Sequence, residues 1–329
     1  MLKKLGILLL IAVLALSVSN VFGAKDTIVL KAGHNGTTDF PYHTGLEYMA
    51  KEVAEKTNGR VKIQIYPNAQ LGDQRQMVEG LRLGTIDMCI TATSDLAQFV
   101  PETDVLNLPF IFKDLNHSYQ AMDGVVGNRL GKMVEKKANL RVLGWWSAGV
   151  RSVFNSKKPV TKPEDLKGMK IRTMPNKTDM EAFNALGAIA TPIPYSELYT
   201  SLQQEVVQAA ENDPISFEQQ KFYEICSYYS LTEHYINGGT RPLLISMHTW
   251  NRLPKDIQKI IMTAGRNATN YERKLFEEQS TKAMQQLEAK GVKINKVDNA
   301  LFRKNMIKLW EKVGERSPET KKLIDLLQK

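Results

Sequence analysis

The strongest constraint in the chain is the order of its hydrophobic periods, which switch between strand and helix spacing along the N-terminal third. "TIVLKAG" (27–33) reads as a strand. From Pro41 to Lys56, Leu46, Met49, Ala50, Val53 and Ala54 recur at helical spacing. Asn58-Gly59 ends that run, as glycine does beyond a helix terminus. "RVKIQIYP" (60–67) alternates as a strand until Pro67, which cannot donate to a ladder. Leu71 to Leu83 is a second helical stripe, stopped by Gly84, and "TIDMCITA" (85–92) is a third strand. A β-α-β-α-β succession predicts parallel strands with crossover helices, and so an α/β fold.

The pattern then restarts. "VPETDVLNLPFIF" is loop-like, two helical stretches follow, and "LRVLGWW" (140–146) is a strand. A second alternating set begins with "GVRSVFNS" and continues through the turn-rich "KPVTKPEDLKG" to the strand "MKIR". A helix from about Thr178 to Leu186, "AIATPIP", a helix from Ser196 to Gln204, the strand "EVVQAA" and the turn "ENDP" complete it. "QQKFYEICSYYSLTEH" reads as a helix end and a strand. "EGLRLGTIDM" and "TSLQQEVVQA" echo one another faintly, each carrying a helix end into an apolar strand. The last third reads as mostly helical. From Pro254, a good helix start, Ile257, Ile260, Ile261, Ala264, Ala268, Tyr271, Leu275, Ala283 and Leu287 keep one stripe until Gly291. That predicts a helix of ~50 Å at ~1.5 Å per residue, long enough to bridge two lobes; a pair kinked near Gly265 is the alternative.

Residues 1–23 are set apart. Lys3 and Lys4 precede a 14-residue apolar run, Leu5 to Val18, and Val21-Phe22-Gly23 suits cleavage after Gly23. This is the pattern of a secretory signal peptide, shorter than the ~20 residues that span a bilayer. No cysteine follows the run, so no lipid anchor is expected there, and no later stretch is apolar enough to span. An exported, periplasmic protein follows. Without Lys3 and Lys4 the 44 basic residues become 42, against 35 acidic. The lysines are scattered rather than gathered on one element, which argues against a nucleic-acid partner. Cys89 and Cys226 lie 137 positions apart in the 329-residue chain and read as buried thiols. An oxidising compartment would permit a disulfide but does not require one.

Catalytic signatures are missing. There is no Gly-x-Ser-x-Gly elbow, phosphate-binding Gly loop or dinucleotide fingerprint. None of the five histidines, His34, His43, His117, His234 and His248, stands at metal-ligand spacing from another His, Cys or acid. No enzyme, cofactor or metal is expected. What stands out is two arginines at strand-like segments, Arg151 in "SAGVRSVFNS" and Arg172 at the end of "MKIR". Open α/β sheets bind ligands beyond the carboxyl ends of their strands, and a guanidinium fork matches a carboxylate. Each arginine could equally pair with a protein acid. Asn212, in "QAAENDP", would either present its amide to a ligand or cap the helix that Pro214 begins.

These residues sit in ordered segments that resemble the solute-binding proteins of tripartite ATP-independent periplasmic (TRAP) transporters. The segments are "KAGHNGTTDFPYHTGLEYMAKEVAEKTNGRVKIQIYPNAQLGDQRQMVEGLRLGTIDM", "VLNLPFIF", "GVRSVFNSKKPVTKPEDLKGMKIRTMPN", "PIPYSELYTSLQQEVVQAAENDP" and "YYSLTEH". The resemblance implies a two-lobed periplasmic binding protein with mixed sheets, a cleft between lobes and a long bridging helix. It places lobe I at 24–148 plus about 237–276, and lobe II at 149–236 plus about 277–329. It implies that Arg172 clamps a ligand carboxylate and that Arg151 and Asn212 face the cleft. The family's usual Val-Asp-Gly before that Glu-Asn is absent here, where "VVQAAEN" stands. His34, Asn35, Asp73 and Thr91 fall where lobe I cleft residues lie, with turns and caps as their other reading. Gln70 and Tyr195 join them as groups able to meet ligand hydroxyls. The implied ligand is a small organic acid, a uronate or aldonate foremost, with four-carbon dicarboxylates, keto acids and sialic acid as the alternatives. A monomer is expected to deliver it to the membrane permease subunits of the transporter. A sensor-type binding protein or a periplasmic enzyme on the same scaffold are the rival roles.

Overall fold

Local signals decide where the elements begin and end. The computed structural model describes residues 27–329; the expected signal segment lies outside the described residues. β1 (Ile28–Gly33), α1 (Pro41–Lys56), β2 (Val61–Tyr66), α2 (Gln74–Leu83) and β3 (Met88–Ile90) follow the expected order. β1 pairs in parallel with both β2 and β3. Helix α1 opens on Pro41, and α2 opens on an Asp73 cap and closes on Gly84 at φ 78°. The short α3 (Thr93–Leu96), a 3-10 segment (Pro101–Asn107), α4 (Leu115–Asp123) and α5 (Val125–Ala138) lead to β4 (Leu140–Trp146).

The chain then leaves this sheet. β5 (Val150–Asn155), β6 (Lys170–Thr173), α6 (Lys177–Ala185), β7 (Ile189–Pro192), α7 (Leu198–Gln203), β8 (Ala209–Asn212), α8 (Pro214–Gln219) and β9 (Tyr228–Ile236) build the second unit. β10 (Arg241–Ser246) returns to the first, followed by α9 (Met247–Arg252) and α10 (Lys255–Ala289). β11 (Lys293–Lys296), α11 (Asn299–Gly314) and α12 (Pro318–Leu327) end the chain. The first sheet has the order β2-β1-β3-β10-β4 and the second β11-β9-β5-β8-β6-β7. Both are mixed: β10 runs antiparallel to β3 and β4, and β5 antiparallel to β8 and β9.

Two differences from the sequence reading have physical causes, and the long helix is found as expected. The strand expected at 205–210 is found at Ala209–Asn212, because Glu205 turns at φ 55° after α7 and Val206 stays 48% exposed. β10 and β11 lie in the third of the chain read as helical; β10 is short and buried at every position, so no alternation announces it. Helix α10 runs unbroken through Gly265. A Cβ there would stand 2.9 Å from the Leu143 carbonyl oxygen, so the glycine lets the helix press onto β4. At ~1.5 Å per residue its 35 residues span ~50 Å. Ile257, Ile261, Ala264, Ala268 and Phe276 pack in the first sheet's core, while Leu287 packs with Phe154, Phe217 and Tyr229 in the second's.

Two short connections also cross between the sheets, at 147–149 and 237–240. They are bonded to each other: Ala148 N–H donates to Asn237 C=O at 2.7 Å, and Asn237 N–H donates to Gly149 C=O at 2.8 Å. Glu272, buried on α10, accepts from Ser147 N–H at 3.0 Å. At the chain's end, α12 places Leu323, Ile324 and Leu327 against Val105, Leu106, Val126 and Leu130.

Cys89 and Cys226 are free, buried thiols in separate cores. Burial pushes the Cys226 thiol up to about 12 and the Cys89 thiol higher still. The thiolate is the reactive form, so Ellman's reagent should titrate no thiol in the native protein and both after denaturation without reductant. Rapid native labelling, or no thiol in the unfolded chain, would contradict this arrangement.

Candidate functional site

The parallel strands of the two sheets aim their carboxyl ends at one gap, where open α/β sheets collect ligands. Asn35 follows β1, Asp95 follows β3, Arg172 lies on β6, Tyr195 follows β7 and Asn212 ends β8. The gap is a cavity of about 510 Å³ with a narrow recess of about 30 Å³. Asn35, Gln74, Arg172, Met174 and Tyr195 line both. The sheets meet over it at Thr37 Oγ1, which donates to Gln219 Oε1 at 2.8 Å, and at Ser94 Oγ, 3.1 Å from Met174 Sδ.

The two arginines singled out in the sequence behave differently. Arg172 is 2% exposed, and its Nε donates to the Ile193 carbonyl at 2.8 Å. Among the described residues no carboxylate forms an ion pair with it. Burial lowers its pKa to about 10, with Glu211 opposing that shift and Arg151 adding to it. It therefore stays charged at neutral pH. Arg151, equally buried, is committed to Glu211: Nε donates to Oε2 at 2.6 Å, and Nη2 donates to Oε1 at 2.7 Å and to the Glu211 carbonyl at 3.1 Å. Burial works against the Arg151 charge, but the Glu211 carboxylate outweighs it and raises the pKa. Arg151 reaches only the recess.

Asn212 also lines the recess, with Oδ1 accepting from Asp213 N–H at 3.0 Å. It does not cap α8. Asp213 does, accepting from Ser216 N–H at 2.9 Å and from Ser216 Oγ at 2.6 Å. Asp73 stands at the cavity rim but is occupied in a capping box: its Oδ1 accepts from Gln76 N–H, and Gln76 Oε1 accepts from Asp73 N–H, both at 2.8 Å. Its cap reading holds.

Three expected residues fall outside the lining. His34 is fully buried behind it, 3.1 Å from His43 Nδ1, because side chains alternate at the end of β1 and Asn35 takes the cavity side. Burial, with His43 beside it, lowers the His34 pKa to about 3, so its ring is neutral. Thr91 is buried between β3 and β10 and does not line the cavity. Gln70 is also absent from the wall, which Asn68 and Ala69 form instead.

The structure brings in residues the sequence reading passed over. Gln74, Asp95 and Gln98 line the main cavity, and Tyr42 and Arg241 the recess. Arg241, the first residue of β10, is buried, forms no ion pair among the described residues, and lies close enough to the Tyr42 phenol to act on it. Asp95 has the same strand-end placement that marked Arg172. Arg241 carried only a weak signal, an apolar run after "NGGT". Among the described residues no group of three His, Cys, Asp or Glu side chains could hold a metal ion.

Two α/β lobes, with a buried guanidinium in the cleft between them that forms no ion pair among the described residues, define a protein built to enclose a small anion. Residues 32–317 match the model of the bacterial extracellular solute-binding proteins, family 7, and the chain belongs to that family, as a TRAP-type solute-binding protein. It is 38% identical over 290 residues to a solute-binding protein of Chromohalobacter salexigens, covering 88% of this chain and 85% of that one. Its fold is similar to a TRAP periplasmic solute-binding protein from a Sulfitobacter species with bound β-D-galacturonate. The TM-score is 0.88 at 36% identity, covering 91% of this chain and 99% of the other. A C. salexigens structure with bound D-glucuronate matches with the same TM-score of 0.88, 36% identity and 91% and 99% coverage. The family is extracytoplasmic, and no helix among the described residues is long and apolar enough to cross a membrane.

Proposed function

We propose that this protein captures a hexuronate, such as glucuronate or galacturonate, and delivers it to the membrane permease of a TRAP transporter. The observation that carries this reading is Arg172, a buried guanidinium without an ion pair among the described residues, on the wall of a cavity of about 510 Å³. A desolvated fork is suited to a carboxylate. The rest of the wall suits a sugar. Asn35, Gln74, Asp95 and Gln98 offer groups to hydroxyls, while Met174, Pro194, Tyr195 and Phe222 offer apolar faces to C–H bonds. The volume lies within the usual range of small-molecule sites, and the similar structures hold uronates.

Capture proceeds by hinge closure. The lobes, at the expected limits 24–148 plus about 237–276 and 149–236 plus about 277–329, pivot at the paired crossings, with α12 riding on the first. The carboxylate docks on Arg172, with Arg151 and Asn212 behind it in the recess. The Thr37–Gln219 contact then forms over the ligand. Excluding water strengthens the ion pair, because charge interactions grow as the effective dielectric falls. The protein binds without turnover, acts as a monomer, and reaches the periplasm by cleavage after Gly23.

Calorimetry on the purified protein tests this. D-glucuronate or D-galacturonate should bind at one site and be recovered unchanged, while D-glucose, which lacks the carboxylate, should give no heat. Equal binding of glucose would overturn the carboxylate clamp. Binding of succinate or a keto acid in place of any uronate would overturn the sugar-acid assignment, and conversion of the ligand would overturn the transport role.

A further inference from the structure

Three acids line the cavity and its recess: Asp73, Asp95 and Asp213. Two are occupied, Asp73 as the α2 cap and Asp213 as the α8 cap. The carboxylate of Asp95 is 6% exposed, yet it accepts no hydrogen bond and forms no ion pair among the described residues. Buried polar groups are almost always partnered, and a buried charge without a partner is costly. Around it stand Arg172 and Arg241, which favour its charged form, Arg75, which does the same, and Asp73, which opposes it. Among the described residues neither Arg172 nor Arg241 forms an ion pair, and Glu211 is bound by Arg151.

Arg172 and Arg241 thus line the cleft without an ion pair among the described residues, and Asp95 lines it without a hydrogen bond. A ligand carboxylate suits the guanidiniums. A ligand with two carboxylates brings the second toward a wall that already carries the Asp95 and Asp73 carboxylates. We infer that Asp95 is the specificity determinant of this site, accepting hydrogen bonds from ligand hydroxyls and excluding acids that carry a second carboxylate. This rests on the reading of the cavity as a sugar-acid site, and it adds a selection rule: hydroxylated monoacids enter, and the corresponding diacids do not. Like charges placed together across a dry interface are strongly unfavourable. Burial pushes the Asp95 pKa up to about 6, against the pull of Arg241 and Arg172, so the side chain is ionised at pH 7.5.

The test compares wild type with Asp95→Asn and Asp95→Ala by calorimetry at pH 7.5. The probes are D-galacturonate and galactarate, which differ by one carboxylate. Wild type should prefer galacturonate by about 100-fold or more, since each ~1.4 kcal/mol of discrimination is tenfold. Asp95→Asn keeps the shape and removes the charge, and should narrow that ratio at least about tenfold by binding galactarate more tightly. Asp95→Ala should narrow it too, with weaker galacturonate binding. A ratio unchanged within about threefold in both variants overturns the inference. Thermal melts confirm folding; because neither variant breaks a hydrogen bond in the empty protein, both should melt at or above wild type. If wild type binds no uronate, the sugar-acid reading fails by itself. The same ratio is then measured with the hydroxy monoacid that most raises the melting temperature and its diacid counterpart, and Asp95 is judged on that pair.

Discussion

Arg172→Ala should weaken uronate binding by about 30-fold or more, yet leave the empty protein about as stable as before. The size follows from removing one partner of a buried charged contact, about 2–5 kcal/mol, with ~1.4 kcal/mol per tenfold in Kd. The second half separates a ligand clamp from a structural arginine. Among the described residues Arg172 makes one hydrogen bond, to Ile193, and forms no ion pair. Its folded pKa, lowered to about 10 by burial, means its charge disfavours the empty fold at every pH below that value. Losing the bond to Ile193 costs roughly 1 kcal/mol, and removing the buried charge offsets it. Arg172→Lys should also bind more weakly, because an ammonium lacks the two-pronged geometry. Calorimetry and thermal melts measure both quantities. Binding at wild-type strength in Arg172→Ala would end the clamp assignment.

Glu211→Ala should do the reverse and lower stability by about 3–5 kcal/mol, the usual loss when a buried pair keeps one charge. Three contacts from Arg151 converge on Glu211, and His234 Nε2 stands 4.0 Å away. Burial alone would raise the Glu211 pKa, but the Arg151 guanidinium overcomes it and the net shift is downward. A carboxylate lowered in the folded state contributes stability above its unfolded pKa and loses it as pH falls through the folded one. Wild type should therefore lose this contribution on acidification below the ordinary glutamate range, and the variant should show no such loss. Chemical denaturation at neutral and acid pH is the measurement. A variant as stable as wild type at pH 7 would show that the pair does not hold the second sheet together.

The contrast between these arginines marks where sequence reading runs out. Strand ends are local features, so Arg172 and Asn212 could be placed near the gap from "MKIR" and "QAAENDP". Whether a guanidinium has a counter-ion is not local: Arg151 meets Glu211 only because β5 and β8 pair across 60 positions. His34 and Asn35 carry the same strand-end signal, and the two-residue alternation separates them, but no local cue says which face looks inward. Arg241 was hidden by β10, an antiparallel strand buried at all its positions, so that no alternation marks it. Asp95 was legible in principle, since it follows β3 as Arg172 follows the apolar residues of its strand, whereas Thr91 was placed by the resemblance alone.

The position of β10 also governs how the chain comes together. It lies between β3 and β4, so those strands have no contact with each other and must wait for residues 241–246. β5 to β9 need no such late arrival; only edge strand β11 is missing when residue 236 emerges. A chain leaving the ribosome can therefore assemble most of its second sheet before its first, against the order of synthesis. Closing the first sheet late, through pairings 95 to 157 positions apart, is slow, because distant contacts must overcome loop entropy first. The same threading that makes a hinge of two short crossings delays completion of the N-terminal half until three quarters of the protein has been made.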